Sequence, residues 1–398
     1  MKNILIAIRS IFKKGRHNVM KIVSLGIGLA VGLVLIAKVY FEQSYDDFYP
    51  DRDRVYQVWA KYQQNGGELK DYPQTSGGIA PTMQQQIPEI ETVTRYTSFG
   101  DWTFTMTDTK MKYSGRCIIA DSCFFDILPR PMLIGNAKEV LSTPMYVLIS
   151  SRIAKNIGGD VIGKNFTVDN SPGRTMTIGG VFEEVPENSH SRYDVIVSMA
   201  SAGRFMWEGS PTNMLGNDRY ISYVKLHKGV NPLALEEQVR TFVNSYFPPE
   251  EQQKVGLSID FSFHKLDNLH KELPQVKRMT WILSLLAFAL IFTAVMNYIL
   301  IVISSIVNRS KEVAVHKCYG ASENNIHGMM FGEALVHIVL SLILALLLIL
   351  AFRGTVEELL ATSLDSLLLS NGSLVLLGIC ILVFFVSGFM PGSLYARI

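Results

Sequence analysis

The chain has 398 residues, 48% of them hydrophobic and only 18% charged, with a mean hydropathy of +0.22. That is too apolar for an ordinary soluble protein and too polar for a fully embedded one, which leaves a membrane protein carrying a large aqueous domain. A formal net charge of +2 excludes the concentrated basic surface of a nucleic-acid binder.

Residues 1–18 carry Lys2, Arg9, Lys13, Lys14 and Arg16 around Ile4, Leu5, Ile8, Ile11 and Phe12. The apolar positions fall at helical spacing, which predicts an amphipathic basic helix on a membrane surface. A cleaved signal peptide is the rival reading. Against it, the run Ile22 to Ala37 is long for an h-region, and Lys38-Val-Tyr-Phe-Glu offers no small-residue cleavage site. Residues 19–41 therefore read as a retained first span, its N-terminus held in the cytoplasm by the basic cluster. Lys21 and Lys38, near its ends, are expected to snorkel.

From 42 to 277 no further span occurs, and strand signals alternate with helix signals. Val55-Tyr-Gln-Val-Trp-Ala-Lys-Tyr, Arg219 to His227 and Leu257 to Leu266 read as strands. Ile79 to Ile87, with Pro81 in its first turn, and Pro232 to Tyr246 read as helices. This is an α+β pattern, expected as two lobes joined by the turn-rich stretch Asp160 to Thr177. Cys117 and Cys123 share this domain and form either a disulfide, if the domain lies outside the cytoplasm, or two buried thiols. With Cys318 and Cys380 elsewhere, the four cysteines offer no metal cluster.

The second apolar run, 278–307, is the pivotal one. Its Met279 to Val307 portion makes a helix of about 43 Å, against a hydrocarbon thickness of ~30 Å. A basic, polar segment follows at 308–332, then spans at 333–352 and 373–391. The loop at 353–372, with Glu357, Glu358 and Asp365 against Arg353, is acidic, and residues 392–398 form a tail. Arg309, Lys311 and Lys317 place the 308–332 segment with the N-terminus and tail in the cytoplasm, and the large domain and acidic loop outside. The fold class is thus a membrane α-helical protein of four transmembrane helices, with a large α+β extracytoplasmic domain between spans 1 and 2.

Gly158-Gly-Asp-Val-Ile-Gly-Lys-Asn165 has the spacing of a phosphate loop, but Asn165 replaces the hydroxyl that would hold Mg²⁺ and no strand leads into it; it reads as a glycine turn. Pro186-Glu-Asn-Ser-His-Ser-Arg-Tyr-Asp194 lacks a nucleophile elbow. It reads as a loop fixed by side-chain-to-backbone hydrogen bonds. His190, His264 and His270 complete no metal-ligand motif. Asn297, deep in the second span, calls for a polar partner across a helix interface. The sharp signal is an ordered combination: Arg309-x-x-Glu312, Lys317-x-x-Gly320-Ala321-Ser322, Ile326 and Glu333. Gly320 suits the residue after a helix and Ser322 the N-cap of the next. Ile326, Met329 and Met330 then share one face of a short helix, a composition common at docking surfaces.

That combination resembles the coupling segment of the MacB/FtsX-like ABC transporter permeases. Glu42 to Val58 resembles the start of the extracytoplasmic core domain of Bacteroidetes-type members, and Gly180 to Asp194 a second stretch of it. The resemblance covers essentially the whole chain. It implies a non-enzymatic permease subunit of the bacterial inner membrane, without a cofactor, pairing with a cytoplasmic ABC ATPase. Coupling to that ATPase falls to Arg309, Glu312, Lys317, Gly320, Ala321, Ser322, Ile326, Met329, Met330 and Glu333. A homodimer or a partner permease half, membrane lipid and a periplasmic adaptor are the other partners implied; nucleic acid is not. The family's tasks are efflux of drugs and peptides, lipoprotein export and mechanotransmission. The alternative is a membrane-anchored periplasmic ligand sensor signalling to a cytoplasmic partner. Relatives often carry a second copy of this layout, so the chain is either a natural half or the front of a double-length protein.

Overall fold

A computed structural model of the protein describes residues 18–169, 171–319 and 323–368, together with 378 and 382. The basic helix expected before Asn18, the turn at Gly320, Ala321 and Ser322, and nearly all of the span expected at 373–391 with the tail beyond it lie outside these residues. The chain divides into two compact units, Tyr45–Glu272 and the residues on either side of it.

The inner unit is built on β-strands. In chain order these are β1 (Val55–Gln64), β2 (Lys70–Tyr72), β3 (Ile90–Met106), β4 (Lys112–Ala120), β5 (Met132–Ile134), β6 (Tyr146–Ser150), β7 (Asn165–Val168), β8 (Ser171–Phe182), β9 (Val195–Ser198), β10 (Ile221–Leu226) and β11 (Leu257–Lys265). Neighbours run β11-β1-β10-β3-β4-β9-β6-β8-β5, while β7 pairs with both β3 and β8. The ladder β3–β4–β9–β6–β8–β7 therefore closes on β3 again. Closure needs inward side chains at every second position. Along β3, Trp102, Phe104 and Met106 are buried while the intervening residues are not. They meet Cys117, Ile119, Val147, Ile149, Phe166, Met176, Ile178, Val195 and Val197 in one core. The stretch Asp160 to Thr177 is thus no linker between lobes. It carries β7 and the first half of β8, whose pairing closes the ring.

β10, β1 and β11, with β2 beside β1, extend from β3 as an open sheet, while β5 pairs with β8. One face of β1, β10 and β11, with Tyr56, Val58, Ala60, Val224, Ile259 and Phe261, packs on two helices, α1 (Ile79–Gln86) and α2 (Glu236–Tyr246). Pro81 stands in the first turn of α1, as the sequence predicts. The amphipathic spacing of Val239, Phe242 and Val243 sends one face of α2 inward. Burying each such large side chain contributes roughly 1.5–3 kcal/mol. On the opposite face of this sheet His264 stacks on Trp59, with ring centroids 4.1 Å apart. Burial lowers the His264 pKa, opposed by Asp71 and aided by Lys61. A group depressed on folding contributes stability above its ordinary value, near 6.5, that is lost as the pH falls through the lower folded value. Between pH 7.5 and 5.5 the domain is therefore expected to lose melting temperature, and a His264→Phe variant to lose less over the same interval. Thermal unfolding at the two pH values checks this.

In the outer unit, α3 (Asn18–Gln43) precedes the domain, and α4 (Pro274–Cys318), α5 (Glu323–Ala351), α6 (Arg353–Leu360) and α7 (Leu364–Leu368) follow it. Two helices, Asn18–Gln43 and Pro274–Ile301, are long and apolar enough to cross a membrane; Leu335–Ala351 joins them if it and Arg353–Leu360, bent by 71°, count as one broken span. Those are the counts among the described residues, against four spans expected.

Candidate functional site

The outer unit packs through small residues. Gly28 and Gly32, one turn apart on α3, lie against α4. A Cβ built on Gly28 would stand 2.2 Å from Ala294 Cβ, and one on Gly32 2.4 Å from Ile291 Cγ1. Such close helix approach is the role of small residues at this spacing, because lipid supplies no hydrophobic drive between helices. The Gly28-x-x-x-Gly32 pattern stood in the sequence and was the signal for this seam. Asn297 Nδ2 donates to Ser24 Oγ at 2.6 Å from α4 to α3. Ser341 Oγ donates to the Ile22 carbonyl, joining α5 to α3. Leu25, Leu29, Tyr298, Ile299, Ile338, Ala345 and Ile349 fill the space between the three helices.

Lys38 does not snorkel. It is buried, its Nζ 2.6 Å from Glu42 Oε1 and donating to Thr362 Oγ1 at 2.7 Å. Glu42, one turn on, and the Thr362 hydroxyl after α6 give the ammonium partners inside the protein, so it need not reach for the headgroups. Lys21 is buried as well and donates to Asn18 Oδ1 at 3.4 Å.

The coupling residues fall on two long helices. Arg309, Glu312 and Lys317 belong to α4, which continues unbroken past the expected boundary at Val307 to Cys318. From Gln275 to Cys318 there is neither glycine nor proline, and a change from apolar to basic side chains does not stop a helix. Ile326, Met329, Met330 and Glu333 lie on α5, which runs on through the next apolar stretch. The short separate helix expected after Ser322 is therefore the opening of a 29-residue one.

The inner unit is clamped where its chain begins and ends. The Tyr45 and His270 rings stack at 3.4 Å and 6°. Lys271 Nζ lies 3.2 Å from Asp47 Oδ1 and 2.9 Å from Asp267 Oδ1, and Arg52 lies 3.3 Å from Asp47 and 3.5 Å from Asp267. Between them Asp46 is fully buried, with a positive φ of 61° that aspartate tolerates better than most residues. His190 Nδ1 lies 2.8 Å from Asp46 Oδ2. Ser189 Oγ and the His190 amide each donate to Asp46 Oδ1 at 3.2 Å. His190 Nε2 meets the hydroxyl of Tyr223 on β10, an interior strand between β1 and β3. Burial holds the Tyr223 phenol well above its ordinary pKa, so it keeps its proton and stands as a neutral hydroxyl beside Nε2. Ser189 and His190 thus converge on one carboxylate, which sequence reasoning missed because Asp46 lies far away in the chain. The single hydroxyl proton of Ser189 lies between Asp46 Oδ1 and the Ser191 carbonyl, and the network holds these segments in position.

The phosphate-loop lookalike is a turn: Gly158 ends the helix Ser151–Ile157, and Gly158, Gly159 and Gly163 all have positive φ. Cys117 and Cys123 are free thiols, Cys117 sealed inside the closed ladder.

A helical membrane unit interrupted by one large αβ domain defines the class: an integral membrane protein whose two parts are joined through α3 and α4. Residues 20–242 match the family model of the MacB-like periplasmic core domain, and residues 284–398 that of the FtsX-like permease C-terminal region. The chain belongs to the MacB/FtsX-like family of ABC transporter permeases. Among solved structures it is similar to a domain of a Porphyromonas gingivalis protein described as a permease, at 33% identity, with 55% of this chain and 91% of that one covered and a TM-score of 0.50. The periplasmic region of MacB from Actinobacillus actinomycetemcomitans matches at 15% identity over 55% and 92% of the two chains, with a TM-score of 0.37. The extracellular domain of the noncanonic ABC-type transporter YknZ from Gram-positive bacteria matches at 11% identity over 52% and 98%, also at 0.37. None of the curated proteins matches the sequence.

Proposed function

We propose that this chain is the membrane subunit of an ABC-type export or mechanotransmission machine of the bacterial inner membrane, coupling ATP hydrolysis by a separate cytoplasmic ATPase to movement of the Tyr45–Glu272 domain on the outer side. The observation that carries this reading is α4, 45 residues without a break. At 1.5 Å per residue it is about 67 Å long, twice the ~30 Å of membrane hydrocarbon. It starts two residues after the domain ends and bears Arg309, Glu312 and Lys317 beyond its apolar stretch. A continuous helix passes a displacement from one side of the membrane to the other with little loss.

In this reading the ATPase docks on the first turns of α5, around Ile326, Met329 and Met330, with Gly320, Ala321 and Ser322 forming the turn and Glu333 closing the segment. Arg309, Glu312 and Lys317 pass the stroke into α4, and their positive balance holds that end in the cytoplasm. The chain itself hydrolyses no ATP. It works beside a second copy or a partner permease half, in contact with lipid and an outer adaptor, and handles a drug, a peptide or a lipoprotein.

The test is copurification of the full chain from its host in mild detergent, with mass spectrometry of its companions. A Walker-containing ATPase is expected, and Ile326→Asp with Met330→Asp is expected to reduce its recovery more than tenfold while the chain stays in the membrane fraction. Unchanged recovery overturns the docking site. A kinase or transcriptional regulator in place of the ATPase overturns the transporter in favour of a sensor.

A further inference from the structure

The Asp46–His190–Tyr223 network ties the start of the domain to two other parts of it through a buried carboxylate. Asp46 comes three residues after α3 ends. Its carboxylate reaches the loop between β8 and β9 through Ser189 and His190, and its amide donates to the Asn188 carbonyl at 2.9 Å. Through Tyr223 the same network reaches β10, which lies between β1 and β3. The hydroxyls of Tyr96, on β3, and Ser191 are paired beside it. The outgoing segment is fastened to the incoming one by the Tyr45–His270 stack and by Lys271 between Asp47 and Asp267. The outgoing segment is thus tied to Tyr45 and Asp47, the residues on either side of Asp46.

We infer that Asp46, His190 and Tyr223 form a latch of positioning residues that delivers the movement of the membrane helices to β10, inside the β-sheet. The inference rests on the coupling function proposed above. Its physical basis is that a buried, satisfied hydrogen-bond network is rigid; a displaced Asp46 carries the Glu187–Ser191 loop and β10 with it or breaks from them. Without the latch the incoming segment moves alone, while the ATPase continues to bind and turn over at the first turns of α5.

The test uses the full chain with its copurified ATPase in nanodiscs, comparing hydrogen exchange in the nucleotide-free and ATP–vanadate-trapped states. In the wild type, trapping is expected to change exchange severalfold in residues 187–193 and in β10. In His190→Ala, ATP hydrolysis is expected to persist while that nucleotide-dependent difference disappears. His190→Gln, whose amide can both donate to Asp46 and accept from Tyr223, is expected to restore it. A merely structural role would raise exchange equally in both states and leave the difference intact, and that result overturns the latch; so does failure of the glutamine variant to rescue. Should His190→Ala not fold, Tyr223→Phe removes one hydroxyl from an otherwise intact core and is expected to reduce the difference, and an unreduced difference there also overturns the latch. A wild type that binds and hydrolyses with no exchange change sinks the latch alone. A wild type that recovers no ATPase sinks the coupling function and the latch together.

Discussion

Replacing Gly28 with leucine is expected to part α3 from α4 and to abolish coupling while leaving the Tyr45–Glu272 domain folded. Even the first added carbon would stand 2.2 Å from Ala294 Cβ, well inside van der Waals contact, and the rest of a leucine has nowhere to go but between the two helices. Overpacking a close-packed site costs typically 1–3 kcal/mol, and here the affected seam also holds the Asn297–Ser24 hydrogen bond. Thermal unfolding in detergent and ATPase activity of the reconstituted pair measure the two consequences. Gly28→Ala is the milder case, and Ala294→Gly should rescue it by vacating the same spot, so that the two changes combine to much less than their sum. Gly354→Ala is the control: its added carbon meets nothing within 4 Å, and in a helix the change is expected to be neutral or slightly stabilising. Equal damage at 28 and 354 would show that the α3–α4 seam is not what Gly28 protects.

The second large effect is expected inside the domain, at Arg95. Its guanidinium pairs with Asp121 at 3.2 Å, donates to the carbonyls of Gly77 and Pro211, and lies over the Tyr220 ring. Arg95→Leu removes every one of these and leaves a buried carboxylate without its cation, a change that costs about 3–5 kcal/mol in comparable sites. Tryptophan fluorescence follows the loss, since Trp59, Trp102 and Trp207 all belong to this domain. The pH dependence supplies a signature. Burial raises the Asp121 pKa and Arg95 opposes that rise, so without Arg95 it rises further. An acid whose folded pKa exceeds its unfolded one loses stability as the pH climbs through that interval. The Arg95→Leu protein is therefore expected to be less impaired at pH 5 than at pH 7.5, and Arg95→Leu with Asp121→Leu to lose the difference. An Arg95→Leu protein equally stable at both pH values would mean that Asp121 does not depend on Arg95.

The sequence disclosed the apolar helices, the strands of β1, β10 and β11, and the helix opened by Pro81, because each is set by local periodicity. It did not disclose what closes the strand ring. Residues 160–177 are rich in glycine and turn formers, and only the pairing of Phe166 with both Met106 and Met176 distinguishes a closing hairpin from a linker. Lys38 went astray for a related reason: near the end of an apolar run a lysine ordinarily seeks the headgroups, and Thr362 is invisible from position 38. The boundary at Val307 was drawn from polarity, whereas the helix obeys backbone propensity and continues to Cys318. His190 was read as part of a locally bonded loop; its decisive partners, Asp46 and Tyr223, are distant in sequence on either side.

The placement of β1 and β11 bears on how the chain comes to be made. The first and last strands of the domain are antiparallel neighbours, Tyr56 opposite Lys265 and Gln64 opposite Leu257. β1 also waits for β10 on its other side. During synthesis only its Ala60–Tyr62 stretch finds an early partner, in β2; the edge that takes β11 and the Val55–Val58 stretch that takes β10 stay unsatisfied until almost the whole domain has followed. Contacts of such high sequence separation form slowly, because the intervening loop must be closed first, and an exposed edge strand is a template for mispairing meanwhile. A nascent chain arrested before residue 257 should be held by chaperones and cut readily by proteases. One arrested after residue 272 should already resist them.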